Sequence, residues 1–238
     1  MKRKIDLAQY RFIAHRGLHD SESSENSLGA FKKALEAGLP MELDIHLTKD
    51  GQLVVFHDSD LKRMTGKEGT IELLDLATLR EEYALPDGSK IPTFEEVLDL
   101  VNEQVPIVVE LKPYGHNHKI LAKAALKALE RIKNTDRITL ISFDPRCLFP
   151  CKKGPFSRGL LIADERKDVL LFRFFFDYLD VEDVLVDHPK VKRFHKKKPL
   201  NVWTVRSVEA LEKLQGKVDM ITFEHIDKET IAAHALKA

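Results

Sequence analysis

The chain has 238 residues, with 38 Lys and Arg against 38 Asp and Glu, so its formal net charge at pH 7 is zero. That length can bury a substantial core, and the charge balance excludes a strongly basic nucleic-acid binder or a polycationic membrane binder as the expected class. Two cysteines, Cys147 and Cys151, make no disulfide framework, so both thiols are expected free in a reducing, cytoplasmic setting.

The first stretch, "MKRKIDLAQYRF", starts basic, but Asp6 and Gln9 interrupt it before the hydrophobic run of a signal peptide can form. A first strand is expected over Phe12–His15. "SENSLGAFKKALEAG" then sets Leu28, Phe31, Ala34 and Leu35 on one helical face and stops at Gly38. A second strand over Met41–Asp44 leads to the turn signal Asp50-Gly51, after which Val54–His57 should return antiparallel. A two-residue turn there would place Asp44 opposite His57, His46 opposite Val55 and Thr48 opposite Leu53. "TFEEVLDLV" opens on the capping-box pair Thr93 and Glu96. Strands follow at Ile107–Leu111, Ile138–Ser142, Gly159–Ala163, Val184–Asp187, Val202–Val205 and Met220–Phe223, with "HKILAKAALKALERIK" and "SVEALEKLQG" among the helices between them. The Phe-rich "LFRFFFDYL" is expected as a core helix, with a homodimer patch as the alternative. The apolar run around it is too short to cross a bilayer and carries Arg173 and Asp177, so no stable membrane insertion is expected.

Setting the return strand aside leaves eight strands in strand–helix order. The expected fold is α/β: a single (β/α)8 TIM barrel domain over 1–238, with an extra antiparallel hairpin strand after strand 2. A doubly wound open sheet is the runner-up.

Strands of such a barrel are covered on both faces and should be apolar throughout. Three of them end in charge instead. Glu42 and Asp44, two apart, would share the lumen face. Glu110 and Lys112 repeat the pattern after Val108-Val109. His15 and Arg16 close the first strand before Gly17. One charged strand end is ordinary; three at the ends where barrels place active sites point to a site. Three carboxylates suit a hard divalent ion. Arg and Lys suit a phosphate, and two histidines suit general acid–base work. Together they indicate metal-assisted chemistry on a phosphate ester.

The chain resembles the glycerophosphodiester phosphodiesterase family. The motifs that carry the resemblance are "HRG" at His15–Gly17, "ENS" at Glu25–Ser27, "ELD" at Glu42–Asp44, "TKDG" at Thr48–Gly51, "HD" at His57–Asp58, "IPTFEEVL" at Ile91–Leu98, "ELK" at Glu110–Lys112, "SF" at Ser142–Phe143 and "WTV" at Trp203–Val205, in the family's order. The resemblance implies a (β/α)8 barrel that hydrolyses small-molecule glycerophosphodiesters to glycerol 3-phosphate and an alcohol with one divalent cation, Mg2+ or Ca2+. It implies His15 and His57 as the acid–base pair, and Glu42, Asp44 and Glu110 as metal ligands. It further implies Arg16 and Lys112 as phosphate contacts and Trp203 packed on substrate. The short stretch between Asp58 and Ile91 leaves no room for the domain that some members insert there.

Three positions depart from the family pattern. Arg206 stands where Asn is usual after "WTV". "TFEHI" (Thr222–Ile226) stands where Thr-Asp followed by Arg or Tyr and Pro is usual, and Ser27 where Thr is commoner. They bear on substrate identity, and leave two other activities to weigh: a lysophospholipase D-like or other phosphodiesterase on the same barrel, and a non-catalytic phosphodiester-binding protein. His116 and His118 read as an exposed helix-start loop. Asp187-His188 reads equally as a mouth or a structural pair, and "VKRFHKKK" as a solvated basic face.

Overall fold

The computed structural model describes residues 5–235; residues 1–4, the basic start of the chain, and 236–238 lie outside that description. The strands are β1 (Phe12–Ala14), β2 (Met41–Leu47), β3 (Leu53–Val55), β4 (Ile107–Leu111), β5 (Ile138–Ser142), β6 (Ser157–Ile162), β7 (Tyr178–Glu182), β8 (Leu200–Val205) and β9 (Met220–Phe223). Eight of them run parallel and close into a ring, because β1 pairs with both β9 and β2. β3 lies outside the ring, antiparallel to β2. The expected barrel with one outer hairpin strand is the fold.

Burial explains why these segments are strands. Outward residues such as Leu43, Ile45, Val109, Leu140, Leu160, Val181 and Val202 join the main core under the helices. Alternation sends Ile13, Val108, Ile141, Leu161, Tyr178 and Met220 to the lumen. Tyr178 fills the lumen because β6 offers Gly159 beside it: a Cβ there would sit 2.3 Å from the ring. The helices start where their caps say. Ser27 accepts from the Ala30 N–H, and Thr93 and Glu96 form the full capping box.

The hairpin register differs by one residue from the sequence expectation. Ile45 pairs with Val55, His46 with Val54 and Leu47 with Leu53. The turn has three residues, not two. The Thr48 N–H donates to the Gln52 carbonyl (2.9 Å), and Gly51 takes a positive φ of 81° that closes the loop. His57 therefore does not face Asp44 across the ladder. The Phe56 N–H donates to the Asp44 carbonyl instead (3.0 Å), and His57 emerges just past the strand end.

Two further segments depart from expectation. The strand after β6 is Tyr178–Glu182, whereas the expected Val184–Asp187 begins in a 3-10 turn over Asp183–Leu185. The Phe-rich segment is no core helix either. It is a run of 3-10 turns, Asp164–Phe175, that buries Val169 and Leu170 and leaves Leu171, Phe174 and Phe175 exposed at 66%, 64% and 60%. So many aromatics cannot share one buried face. Phe149 instead gathers Phe172, Phe175 and Phe176 around itself, ring centroids 5.8–6.3 Å apart. Among the described residues no helix is long and apolar enough to cross a membrane.

Candidate active site

β2 and β4 are neighbours, and their register sets Asp44 beside Glu110 with Glu42 one pleat lower, beside Val108. All three acids point to the lumen. One carboxylate oxygen from each of Glu42, Asp44 and Glu110 lies within 4.8 Å of the others, and all three residues are buried. Burial, with Asp44 and Glu110 close by, holds the Glu42 carboxyl well above its ordinary range. Burial also pushes Glu110 up to about 8, against the pull of Lys112. Asp44 is the exception. Burial opposes its charge, but Lys112 and Arg16 hold its carboxyl low. Lys112 Nζ stands 3.1 Å from Asp44 Oδ1 and 2.9 Å from Glu110 Oε1, and Arg16 Nε 3.5 Å from Asp44 Oδ2. Asn26, at a positive φ of 58°, donates its amide to Asp44 Oδ2 (2.8 Å). Two cations thus leave two of the three carboxyls inclined to keep protons. An all-oxygen donor set that is still short of positive charge fits a hard divalent ion.

Both histidines reach this group from strand ends. His57 Nδ1 faces Asp58 Oδ1 (2.7 Å), and Asp58 is itself held by Arg63. His15 Nδ1 faces the carboxylate of Glu224, while its Nε2 lies 3.9 Å from Glu42 Oε2. Burial lowers both, His57 to about 4. They open on a cavity of about 170 Å³ at the C-terminal end of the barrel, lined also by Arg16, Glu42, Glu110, Asp180 and Trp203. A wider cavity of about 560 Å³ shares His57, Glu110 and Phe143 and adds Lys112 and Phe172. Trp203 meets Phe143 edge-on, 5.5 Å between ring centroids. A larger cleft of about 840 Å³ lies near Arg11, Pro40 and Pro106, where strands begin, away from the acids.

All eight expected site residues, His15, Arg16, Glu42, Asp44, His57, Glu110, Lys112 and Trp203, thus gather at one mouth. His116 and His118 line neither cavity. His188 caps the Pro189–His195 helix by accepting from the Lys190 N–H (3.2 Å), and Lys192, Arg193, Lys196 and Lys197 form an exposed face. Cys147 and Cys151 are both buried. Residues unassigned from sequence also belong here: Glu224 behind His15, Asp180 in the inner cavity, and Glu72, whose Oε1 lies 2.6 Å from His46 Nδ1. Asp180 carried no usable signal, because the strand it sits in was expected at Val184–Asp187 and not at Tyr178–Glu182; Glu224 was visible only as a departure.

The pattern of the Glycerophosphoryl diester phosphodiesterase family matches residues 15–228. The chain belongs to this family. A glycerophosphodiester phosphodiesterase from Caldanaerobacter subterraneus subsp. tengcongensis is 35% identical over 153 residues, which span 59% of this chain and 61% of that relative. The solved glycerophosphodiester phosphodiesterase of Thermotoga maritima is 30% identical, with a TM-score of 0.76 over 95% of this chain and 98% of its own. A phosphodiesterase from Oleispira antarctica, solved with the product sn-glycerol-3-phosphate, shares the fold at 23% identity and a TM-score of 0.81, over 96% of this chain and 97% of its own.

Proposed function

We propose that this chain hydrolyses glycerophosphodiesters to glycerol 3-phosphate and an alcohol, using one divalent ion, Mg2+ or Ca2+. The observation that carries this reading is the buried group of Glu42, Asp44 and Glu110 with Lys112 set against two of them, beside a cavity on which both histidines open. Family membership supports it, and so does the sn-glycerol-3-phosphate held by the Oleispira antarctica protein on the same fold.

Glu42, Asp44 and Glu110 would hold the ion, which when bound supplies Lewis-acid stabilisation of charge on the phosphoryl oxygens. Arg16 and Lys112 put two cations where those oxygens would lie. Each histidine has a carboxylate at Nδ1, Asp58 for His57 and Glu224 for His15, so Nε2 is the nitrogen offered to substrate. One takes the proton of the nucleophile and the other protonates the departing alkoxide. The glycerol 2-hydroxyl, one carbon from the ester oxygen, is an intramolecular nucleophile with a large effective concentration. Its attack breaks the bond to the alcohol and leaves a cyclic glycerophosphate, which water opens with the histidine roles reversed.

Purified protein with Mg2+ or Ca2+ should release glycerol 3-phosphate from glycerophosphocholine or glycerophosphoethanolamine. Release from neither would contradict the reading. A substrate with hydrogen in place of the glycerol 2-hydroxyl should bind and not turn over; ready turnover would exclude the cyclic route. One observation favours a second reading, a lysophospholipase D-like enzyme. Phe143, Val169 and Phe172 line the wider cavity beside Lys112, giving an apolar side to the mouth. Faster choline release from lysophosphatidylcholine than from glycerophosphocholine would favour it.

A further inference from the structure

Two of the sequence departures, Arg206 and Glu224, are partners. Arg206 follows β8, Glu224 follows β9 and His15 follows β1, and these three strands are consecutive around the ring. Backbone bonds fix the three positions relative to one another: the Glu224 N–H donates to the Val205 carbonyl (3.1 Å) and the His15 N–H to the Phe223 carbonyl (2.9 Å). Arg206 Nε donates to Glu224 Oε1 at 2.5 Å. The other oxygen, Oε2, faces His15 Nδ1. His19 Nε2 stands 3.5 Å from that oxygen, and His225 Nε2 3.9 Å from Oε1. The Glu224 side chain is only 9% exposed, whereas that of Arg206 is 60% exposed. A carboxylate this buried is costly unless it is paired, and its nearest partners are the Arg206 guanidinium and a site histidine.

Chemistry gives the pair a purpose. A neutral imidazole carries one proton, and the group facing one nitrogen decides which nitrogen is left for the substrate. His57 takes its carboxylate from the next residue, Asp58. "HRG" offers His15 none, and Glu224 supplies it from a neighbouring strand end. With the proton on Nδ1 and donated to Glu224, the unprotonated Nε2 is directed toward Glu42 and the cavity.

We propose that Glu224 is the positioning residue of His15, setting its tautomer and ring orientation, and that Arg206 holds Glu224 in place. The inference rests on the proposed hydrolysis, in which His15 acts through Nε2. Two measurements on the Ca2+-loaded protein test it. The first is the 15N spectrum of the histidine rings, which needs no turnover. Wild type and Glu224→Gln, whose amide oxygen still accepts, should show His15 protonated at Nδ1; Glu224→Ala should lose that preference. The second is steady-state hydrolysis of glycerophosphocholine. Glu224→Ala should lower kcat at least about 10- to 100-fold, the scale seen when the hydrogen-bond partner of a metal-bound histidine is removed, with KM within about threefold. Glu224→Gln should recover most of the rate, and Arg206→Ala, which removes an exposed side chain, should fall between. An unchanged His15 tautomer and unchanged kcat in Glu224→Ala would overturn the proposal. So would a loss confined to KM or to Ca2+ affinity. If Glu224→Ala does not fold, Arg206→Ala carries the same test, and wild-type rate and tautomer there would overturn it. A wild type that shows the Nδ1 tautomer but hydrolyses nothing would refute the proposed function while leaving the positioning geometry standing.

Discussion

Glu110 and Lys112 sit two residues apart on one lumen face, yet they should fail differently when replaced. Glu110→Gln turns one of the three carboxylates that converge within 4.8 Å into a neutral, weaker-binding amide, so activity should be lost at low ion concentration and partly regained with excess Mg2+ or Ca2+. Lys112→Ala removes a positioned ammonium 2.9–3.1 Å from two acids. It should lower kcat by roughly 10²–10³ whatever the ion concentration, because a divalent ion does not replace it. Ion titrations of both variants check the contrast, and equal rescue would show that the roles are exchanged or shared. Asp180 gives a second test, of stability. Burial pushes its carboxyl from 3.8 up to about 7. An acid whose pKa is raised by folding costs stability as pH rises: the unfolded chain ionises first, near pH 4, and the folded chain only near pH 7. Asp180→Asn keeps an acceptor for Asn201 Nδ2 (2.7 Å in wild type) and removes that cost. It should be near neutral at pH 4 and stabilising by on the order of 2–4 kcal/mol at pH 8, as urea unfolding at the two values would show.

At the level of strands and turns, the close approach of β6 and β7 is sensitive to substitution. Gly159→Ala should destabilise by about 1–3 kcal/mol, because a Cβ 2.3 Å from the Tyr178 ring forces β6 or Tyr178 to move; thermal unfolding measures it. The same pair shows where the sequence was legible and where it was not. β4, β5 and β9 were readable to the residue because short runs rich in Ile, Val and Thr end in clear breaks. β7 was not, because Asp180 and Glu182 on its lumen face, joined to the Phe-rich run before it, hide a strand whose outward apolar residues are only Leu179 and Val181. The hairpin was readable as a hairpin, but its register depends on one turn residue. Glu42, Asp44 and Glu110 stood out because charge on a two-sided buried strand needs a reason. Glu224 did not, because its partner is 209 positions away and no local pattern reports a long-range bond.

Across the whole molecule, an apolar lumen floor and an acid-lined mouth divide stability from chemistry. The two thiols belong to the first part. Cys147 and Cys151 are both buried, and burial pushes the Cys147 thiol up to about 12. Neither should react with a thiol reagent at pH 8 until denaturant is added; rapid labelling of the native protein would contradict the packing around them. The mouth should respond to metal in the opposite sense, because an ion that binds only the folded barrel stabilises it by mass action. The most direct test is to strip the protein with EDTA and titrate Mg2+ or Ca2+ back while following both Tm and the release of glycerol 3-phosphate from glycerophosphocholine. The stripped protein should release none; Tm and rate should then rise together and saturate at one ion per chain, and neither should rise in a chain carrying Glu42→Gln, Asp44→Asn and Glu110→Gln together. Full release after exhaustive chelation would exclude metal-dependent hydrolysis at this site.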